Sequence, residues 1–186
     1  GLFFKYYEYE YTLRNLLPSQ LHYVAVTAFD HGSPRSGLGA LEVPPQRNFI
    51  AEYPQNAADI VENKGLDVVV YPNPYRINGK YKDYGFEGRD YVDSDGRLVK
   101  QEGLTDDRTR AIHFTNLPHR CTIRIFSLDG DLVRKIEHDV PEGHPQSSHE
   151  RWDLITRNTQ AVVSGIYYYS VESDRGRQIG KIVIIM

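Results

Sequence analysis

The sequence predicts an all-β protein, an antiparallel β-sandwich preceded by part of a second one, and three observations carry that prediction. Short runs of alternating apolar and polar residues recur along the chain with turn-forming residues between them. Tyrosine, 14 residues against one tryptophan, dominates the aromatic inventory and suits pleated surfaces with one wet edge. Asp129-Gly130 stands between two alternating runs, a strong short-range signal for a hairpin.

The first elements fall in residues 1–46. Tyr7, Tyr9, Tyr11 and Leu13 alternate with Glu8, Glu10 and Thr12, which predicts a half-buried strand. Asn15 to Gln20 turns the chain, His22 to Phe29 makes a second strand, and Asp30 to Pro34 turns it again. Leu38 to Val43 reads as a third strand, ended by Pro44-Pro45 because neither can donate to a ladder. Residues 47–65 read as a linker, with a helical turn possible at 57–62.

Residues 66–186 form the second region. A continuous apolar strand, Leu66 to Tyr71, runs into Pro72-Asn73-Pro74, where two prolines forbid continued pairing. The segment 76–110 reads as a long surface excursion with one short strand at Leu98-Val99. Ile112 to Phe114 and Cys121 to Phe126 follow, and Asp129-Gly130 supplies a two-residue turn into Leu132 to Ile136. After a polar loop from Glu137 to Arg151 come Trp152 to Leu154, Ile166 to Val171, and a last strand from Gln178 to Met186. About seven strands of this length and spacing define an Ig-like antiparallel β-sandwich.

Bulk properties exclude several classes of function. With 186 residues, 40% hydrophobic and 25% charged, the chain can bury a sizeable core. A net charge of -3, with basic and acidic residues interspersed, disfavours nucleic acid as a partner. No stretch approaches the roughly 18 apolar residues of a membrane span. Gly1-Leu2-Phe3-Phe4 is not a basic-plus-apolar leader, so if the protein is exported its signal peptide is expected on residues before it. Cys121 lies on an alternating strand as a small core residue and has no second cysteine to pair with.

Two resemblances sharpen this reading. Leu17-Pro18, Val24 to Asp30 and Gly32-Ser33-Pro34 with Ser36 resemble the last three strands of a fibronectin type III domain, with His22 where that family has its corner tyrosine. Residues 1–46 are then a partial fibronectin type III-like β-sandwich, to be completed by upstream residues or by another chain.

The second resemblance rests on six motifs in order: Tyr71-Pro72-Asn73-Pro74-Tyr75, Ile112 to Pro118, Ile123 to Val133, Trp152-Asp153-Leu154, Ser164-Gly165-Ile166-Tyr167 and Gly180 to Ile184. Together they resemble the Ig-like C-terminal sorting domain of proteins exported by the type IX secretion system, related to the Ig-like domain of the flagellar hook-capping protein. The resemblance implies a large secreted or surface-attached bacterial protein whose signal peptide and effector region precede this chain. It implies that a translocon and a sortase read the closing strand, which here comprises Gly180, Lys181, Ile182, Val183, Ile184, Ile185 and Met186.

The motif residues also have architectural roles. Pro72, Asn73 and Pro74 make a rigid turn, Gly165 is read as a position with no room for a side chain, and Trp152 is read as a core plug with its N–H on backbone. Tyr167 completes the set.

Chemical sites are few. Asp93 and Asp95 could offer oxygens to calcium but lack the further ligands of a calcium loop, so a plain Asp-Gly turn is expected. His138, His144 and His149 with Glu142 and Glu150 match no zinc spacing and read as exposed loop residues, while His113 and His119 are expected to face solvent. Nucleophile-elbow, phosphate-loop and zinc-protease motifs are absent, and no catalytic residue or cofactor is predicted.

The leading expectation is a non-catalytic spacer plus secretion and anchoring signal, at the outer cell surface or beyond it. Two alternatives are a structural subunit that exchanges strands with neighbouring copies, and a carbohydrate-binding accessory of a secreted hydrolase. The second would use an aromatic platform from Tyr6, Tyr7, Tyr81, Tyr84, Phe86 and Tyr91.

Overall fold

In the computed structural model the described residues are 11, 13, 16, 22–33, 35–93, 95–141, 143, 144 and 146–186. The chain divides into two compact units, Gly1–Pro54 and Gln55–Met186. It is nearly all β.

In the first unit, β1 (His22–Val24) pairs antiparallel with β2 (Ile50–Glu52), His22 facing Glu52 and Val24 facing Ile50. Between them residues 28–43 fold back as an irregular hairpin, with Val43 N–H on the Ala28 carbonyl and Asp30 N–H on that of Leu41, each at 3.0 Å. The Asp30 carboxylate accepts the Leu41 and Gly32 amides, which holds its pKa below the usual carboxylate range. The expected strands are therefore shorter than the alternation suggested, and isolated bridges at Phe29 and Leu38 replace ladders. The expected strand at 6–13 lies outside the described residues apart from Tyr11 and Leu13.

The stretch 47–65, read as a linker, contains regular structure, including the helix expected near 57–62. It carries β2 in the first unit and helix α1 (Ala58–Lys64) in the second. Ala58 and Val61 bury one face of α1. Gly65, at φ +61°, closes the helix in the left-handed conformation, its N–H and that of Leu66 both turned onto the Val61 carbonyl.

The second unit is a sandwich of a three-stranded and a five-stranded sheet. Its remaining strands are β3 (Val69–Tyr71), β4 (Tyr75–Arg76), β5 (Tyr91–Val92), β6 (Leu98–Val99), β7 (Ile112–Thr115), β8 (Arg120–Phe126), β9 (Leu132–Asp139), β10 (His149–Trp152), β11 (Gly165–Ser173) and β12 (Gly176–Ile185). The small sheet runs β10-β7-β3 and the large one β4-β12-β11-β8-β9. All pairings are antiparallel except that of β4 with β12.

Alternation decides what enters the core. Cys121, Ile123 and Ile125 of β8 point inward, joined by Tyr167, Tyr169 and Val171 of β11 and by Ile182 and Ile184 of β12. The small sheet answers with Ile112, Phe114 and Trp152, and Phe114 meets the Tyr169 ring edge-on at 5.4 Å. Each fully buried side chain of this kind stabilises the fold by roughly 1.5–3 kcal/mol. Burial raises the Cys121 thiol to about 12, as a core residue should show.

One turn differs from expectation. The β8–β9 connection is the five-residue loop 127–131, not a two-residue turn, because only Gly130 has a positive φ (+91°). Gly130 N–H reaches the Ser127 carbonyl at 3.1 Å, and Asp131 N–H the Ser127 hydroxyl. The turn expected from the sequence at Ser173-Asp174-Arg175-Gly176 is present as a two-residue connection, Asp174-Arg175, between Ser173 of β11 and Gly176 of β12.

Candidate functional site: the clasp on the closing strand

The sequence motifs that lie farthest apart in the second unit meet in space. After β3 the chain leaves the small sheet through Pro72-Asn73-Pro74 and arrives at the edge of the large one. There Asn73 substitutes its side-chain amide for a strand. Its Nδ2 donates to the Lys181 carbonyl at 2.8 Å, and its Oδ1 accepts the Val183 N–H at 3.0 Å. Proline on either side lacks an N–H, so an amide side chain is the available way to satisfy both groups of β12 there.

β4 continues the same edge. Tyr75 lies opposite Ile184 and Arg76 opposite Ile185, and Ile77 N–H bonds the Ile185 carbonyl at 2.8 Å. From Lys181 to Ile184, β12 is thus paired with β11 on one side and covered on the other. Ile182 and Ile184 are fully buried, Lys181 and Ile185 face outward, and Val183 and Met186 are half-buried. Met186 N–H also bonds the Ser164 hydroxyl at 2.8 Å.

The clasp is itself braced by the 76–110 segment, a surface excursion that packs back against it. The Tyr81 hydroxyl donates to the Pro74 carbonyl and accepts the Arg76 N–H. One oxygen of Glu87 takes both the Tyr75 hydroxyl at 2.8 Å and the Ala111 N–H at 3.2 Å. Burial, and then this carboxylate, push the Tyr75 hydroxyl far above its ordinary pKa. The short hairpin β5–β6 and a single helical turn, α2 (Asp106–Thr109), complete the cover.

The other motif residues are architectural. Trp152 is buried with its indole N–H on the Ile155 carbonyl at 3.0 Å, and Tyr167 packs edge-on against it while its hydroxyl bonds the Val163 carbonyl. Gly165 corrects an expectation: it is exposed, and a Cβ there would meet only the Tyr167 ring at an ordinary 3.8 Å. A motif glycine with no room is Gly180, whose added Cβ would fall 2.3 Å from the Tyr169 ring.

The histidines also differ from expectation. His113 and His149 lie half-buried on the outer face of the small sheet, where the 76–110 segment packs against His113 through Phe86. Their rings stack at 5.1 Å, with His113 Nδ1 3.0 Å from His149 Nε2. His113 Nε2 donates to the Phe86 carbonyl at 2.6 Å. Two neutral rings close this chain when the Gln146 amide NH2 faces His149 Nδ1 and His149 Nε2–H donates to His113. Burial, reinforced by the Arg151 charge, drives His113 down to about 4. Burial first, then the charges of His113, His138 and Arg151, drives His149 well below its ordinary value. Arg151 donates to the Thr109 and Arg110 carbonyls and lies over the Tyr91 ring.

His138 belongs to β9, is buried, and contacts Glu150 at 3.0 Å and the Ser147 carbonyl. His119 turns to Glu62 of α1, which also receives Arg175. Burial pulls the Glu62 carboxyl up, and the His119 and Arg175 contacts outweigh it, leaving it below the usual carboxylate range. Among the described residues no group of three or more His, Cys, Asp or Glu gathers to hold a metal ion. Asp93 Oδ1 accepts the Asp95 and Arg97 amides at the β5–β6 turn, and Asp95 is exposed.

The aromatic residues of the cover do not form one open platform. Tyr81, Phe86 and Tyr91 are half-buried and Tyr84 is exposed, while Tyr6 and Tyr7 lie outside the described residues. Among the described residues no helix is long and apolar enough to cross a membrane.

Nothing in the local sequence pattern marks Glu87 as the brace of the clasp. The His113–His149 pair carried one signal, alternation in Ile112-His113-Phe114, which gives the face but not what covers it.

No protein-family model matches the chain, and no curated protein matches it in sequence. Solved structures that match in part include PorZ of Porphyromonas gingivalis, described as an essential bacterial surface component of the type IX secretion system. It has a TM-score of 0.42 and 16% identity, over 75% of this chain and 14% of that one. Dimeric latent PorU of Porphyromonas gingivalis has a TM-score of 0.35 and 15% identity, over 91% of this chain and 12% of that one. The chain thus spans a small part of either protein's length.

Proposed function

We propose that residues 66–186 are a non-catalytic secretion and anchoring module of a larger exported bacterial polypeptide, with residues 1–46 as a spacer. The working location is the outer cell surface or the medium, and the partners are the type IX translocon and sortase. One observation supports this reading above the others. The Pro72-Asn73-Pro74 motif and the strand Gly180 to Met186, which the sorting-domain resemblance names separately, form a single clasped unit through Asn73, Lys181 and Val183. A receptor can then read a fixed shape instead of a loose tail.

The test is export. The full chain, fused behind a signal peptide and a folded reporter, is expressed in a bacterium competent for type IX secretion. The reporter is expected on the surface or in the medium. Confinement to the periplasm, at the level of a fusion lacking residues 66–186, overturns the reading.

A further inference from the structure

The outer face of the five-stranded sheet is fixed by the pairing registers. Ile185 lies beside Arg76, Val183 beside Ile166, and Tyr168 between Lys181 and Phe126. Ile179 follows, beside Ser170. These residues form an apolar band facing away from the core, with Ile179 65% exposed, Ile185 44%, and Ile166 and Tyr168 each 40%. An ordinary outer face of an antiparallel sheet alternates to polar residues, so the band requires an explanation.

The charges beside the band are unbalanced. The same registers put six cations on this face, Arg76, Arg120, Arg124, Lys135, Arg177 and Lys181, against three carboxylates, Glu137, Asp139 and Glu172. Every one of those carboxylates is already paired: Glu172 with Arg124 and Arg177, Glu137 with Lys135, and Asp139 with Arg120. Among the described residues Arg76 and Lys181, the cations flanking the band, have no ion pair. The excess is positive on a chain whose total is -3.

We propose that this face is the docking surface for a protein partner that presents an apolar patch rimmed by carboxylates, packed onto the sheet as a further layer. The inference rests on the secretion reading above and names how the machinery holds the module: face-on, across β12 and β11, not by adding a strand. Face-on docking fits the clasp, because Asn73 and β4 already occupy the edge beside Lys181 to Ile185. Charge complementarity selects the partner, since Arg76 and Lys181 offer donors to its acidic rim. A second copy is disfavoured because a two-fold contact would set this cationic face against itself. The apolar side chains lie flush along a sheet rather than protruding on loops, which suits a packed protein layer.

The test uses the full-chain reporter fusion in the exporting bacterium, with a photo-crosslinking residue at Ile179 or, as a control, at exposed Leu98. The expected result is an adduct from position 179, and none from 98, with a protein of the secretion machinery whose crosslinked patch is acidic. An adduct with a second copy or with lipid alone, or no adduct during export, overturns the proposal. Ile179→Glu is expected to lower export about tenfold with an unchanged melting temperature, while Leu98→Glu leaves export intact. Export of Ile179→Glu at the unsubstituted level sinks the docking face alone. Failure of the unsubstituted fusion to leave the periplasm sinks the secretion reading itself.

Discussion

Gly180 lies directly beneath the Tyr169 ring, opposite it in the β11–β12 register, and a Cβ added at 180 would fall 2.3 Å from that ring. The ring occupies the missing side chain's place and reaches Phe114 of the facing sheet. Gly180→Ala is therefore expected to destabilise the second unit by about 1–3 kcal/mol through overpacking. In a thermal melt, Gly180→Ala combined with Tyr169→Leu should lose less than the sum of the two single changes. Additive losses would show that the ring does not depend on the glycine.

Asn73 predicts a local effect. Asn73→Ala removes two hydrogen bonds to β12 and should cost about 1–3 kcal/mol. Amide hydrogen exchange at Val183 should accelerate, while Ile182, whose backbone faces β11, stays protected. Unchanged exchange at Val183 would mean that the side-chain amide does not hold this edge.

Glu87 predicts how the cover behaves. Glu87→Ala leaves the Tyr75 hydroxyl and the Ala111 N–H without their acceptor, at a cost of about 1–3 kcal/mol. Limited proteolysis should then cut faster within 77–110 while β8 and β11 remain intact. Equal cutting rates would show that other contacts hold the segment.

The His113–His149 pair predicts an acid-sensitive fold. His113 is held neutral in the folded state down to about 4, whereas in the unfolded chain it protonates near 6.5. Between those values the unfolded state binds more protons, so stability rises with pH there. The contribution is fully present above about 6.5 and is lost as pH falls toward 4, by about 3 kcal/mol at most. Urea unfolding across that window should show the decline, and His113→Gln should flatten it. An unchanged slope in that variant would place the sensitivity elsewhere.

The sandwich was legible because alternation is local: Cys121, Ile123 and Ile125 declare their face whatever surrounds them. The hydrogen bond of Trp152 to backbone followed equally from the chemistry of a buried indole. The clasp was not legible, since Asn73 meets Lys181 and Val183 across separations of 108 and 110 residues. Asp129-Gly130 misled because Gly130 alone takes the left-handed conformation, and the loop grew to suit it. Gly165 was misread and the crowding at Gly180 missed because that crowding comes from a ring on the neighbouring strand.

The parallel pairing of β4 with β12 also sets a schedule for biosynthesis. Tyr75 and Arg76 are translated long before Ile184 and Ile185, yet each pair completes the other's ladder. Between the translation of Arg76 and that of Ile184 the sheet is therefore unfinished, and β4 has no partner strand until Ile185 has left the ribosome.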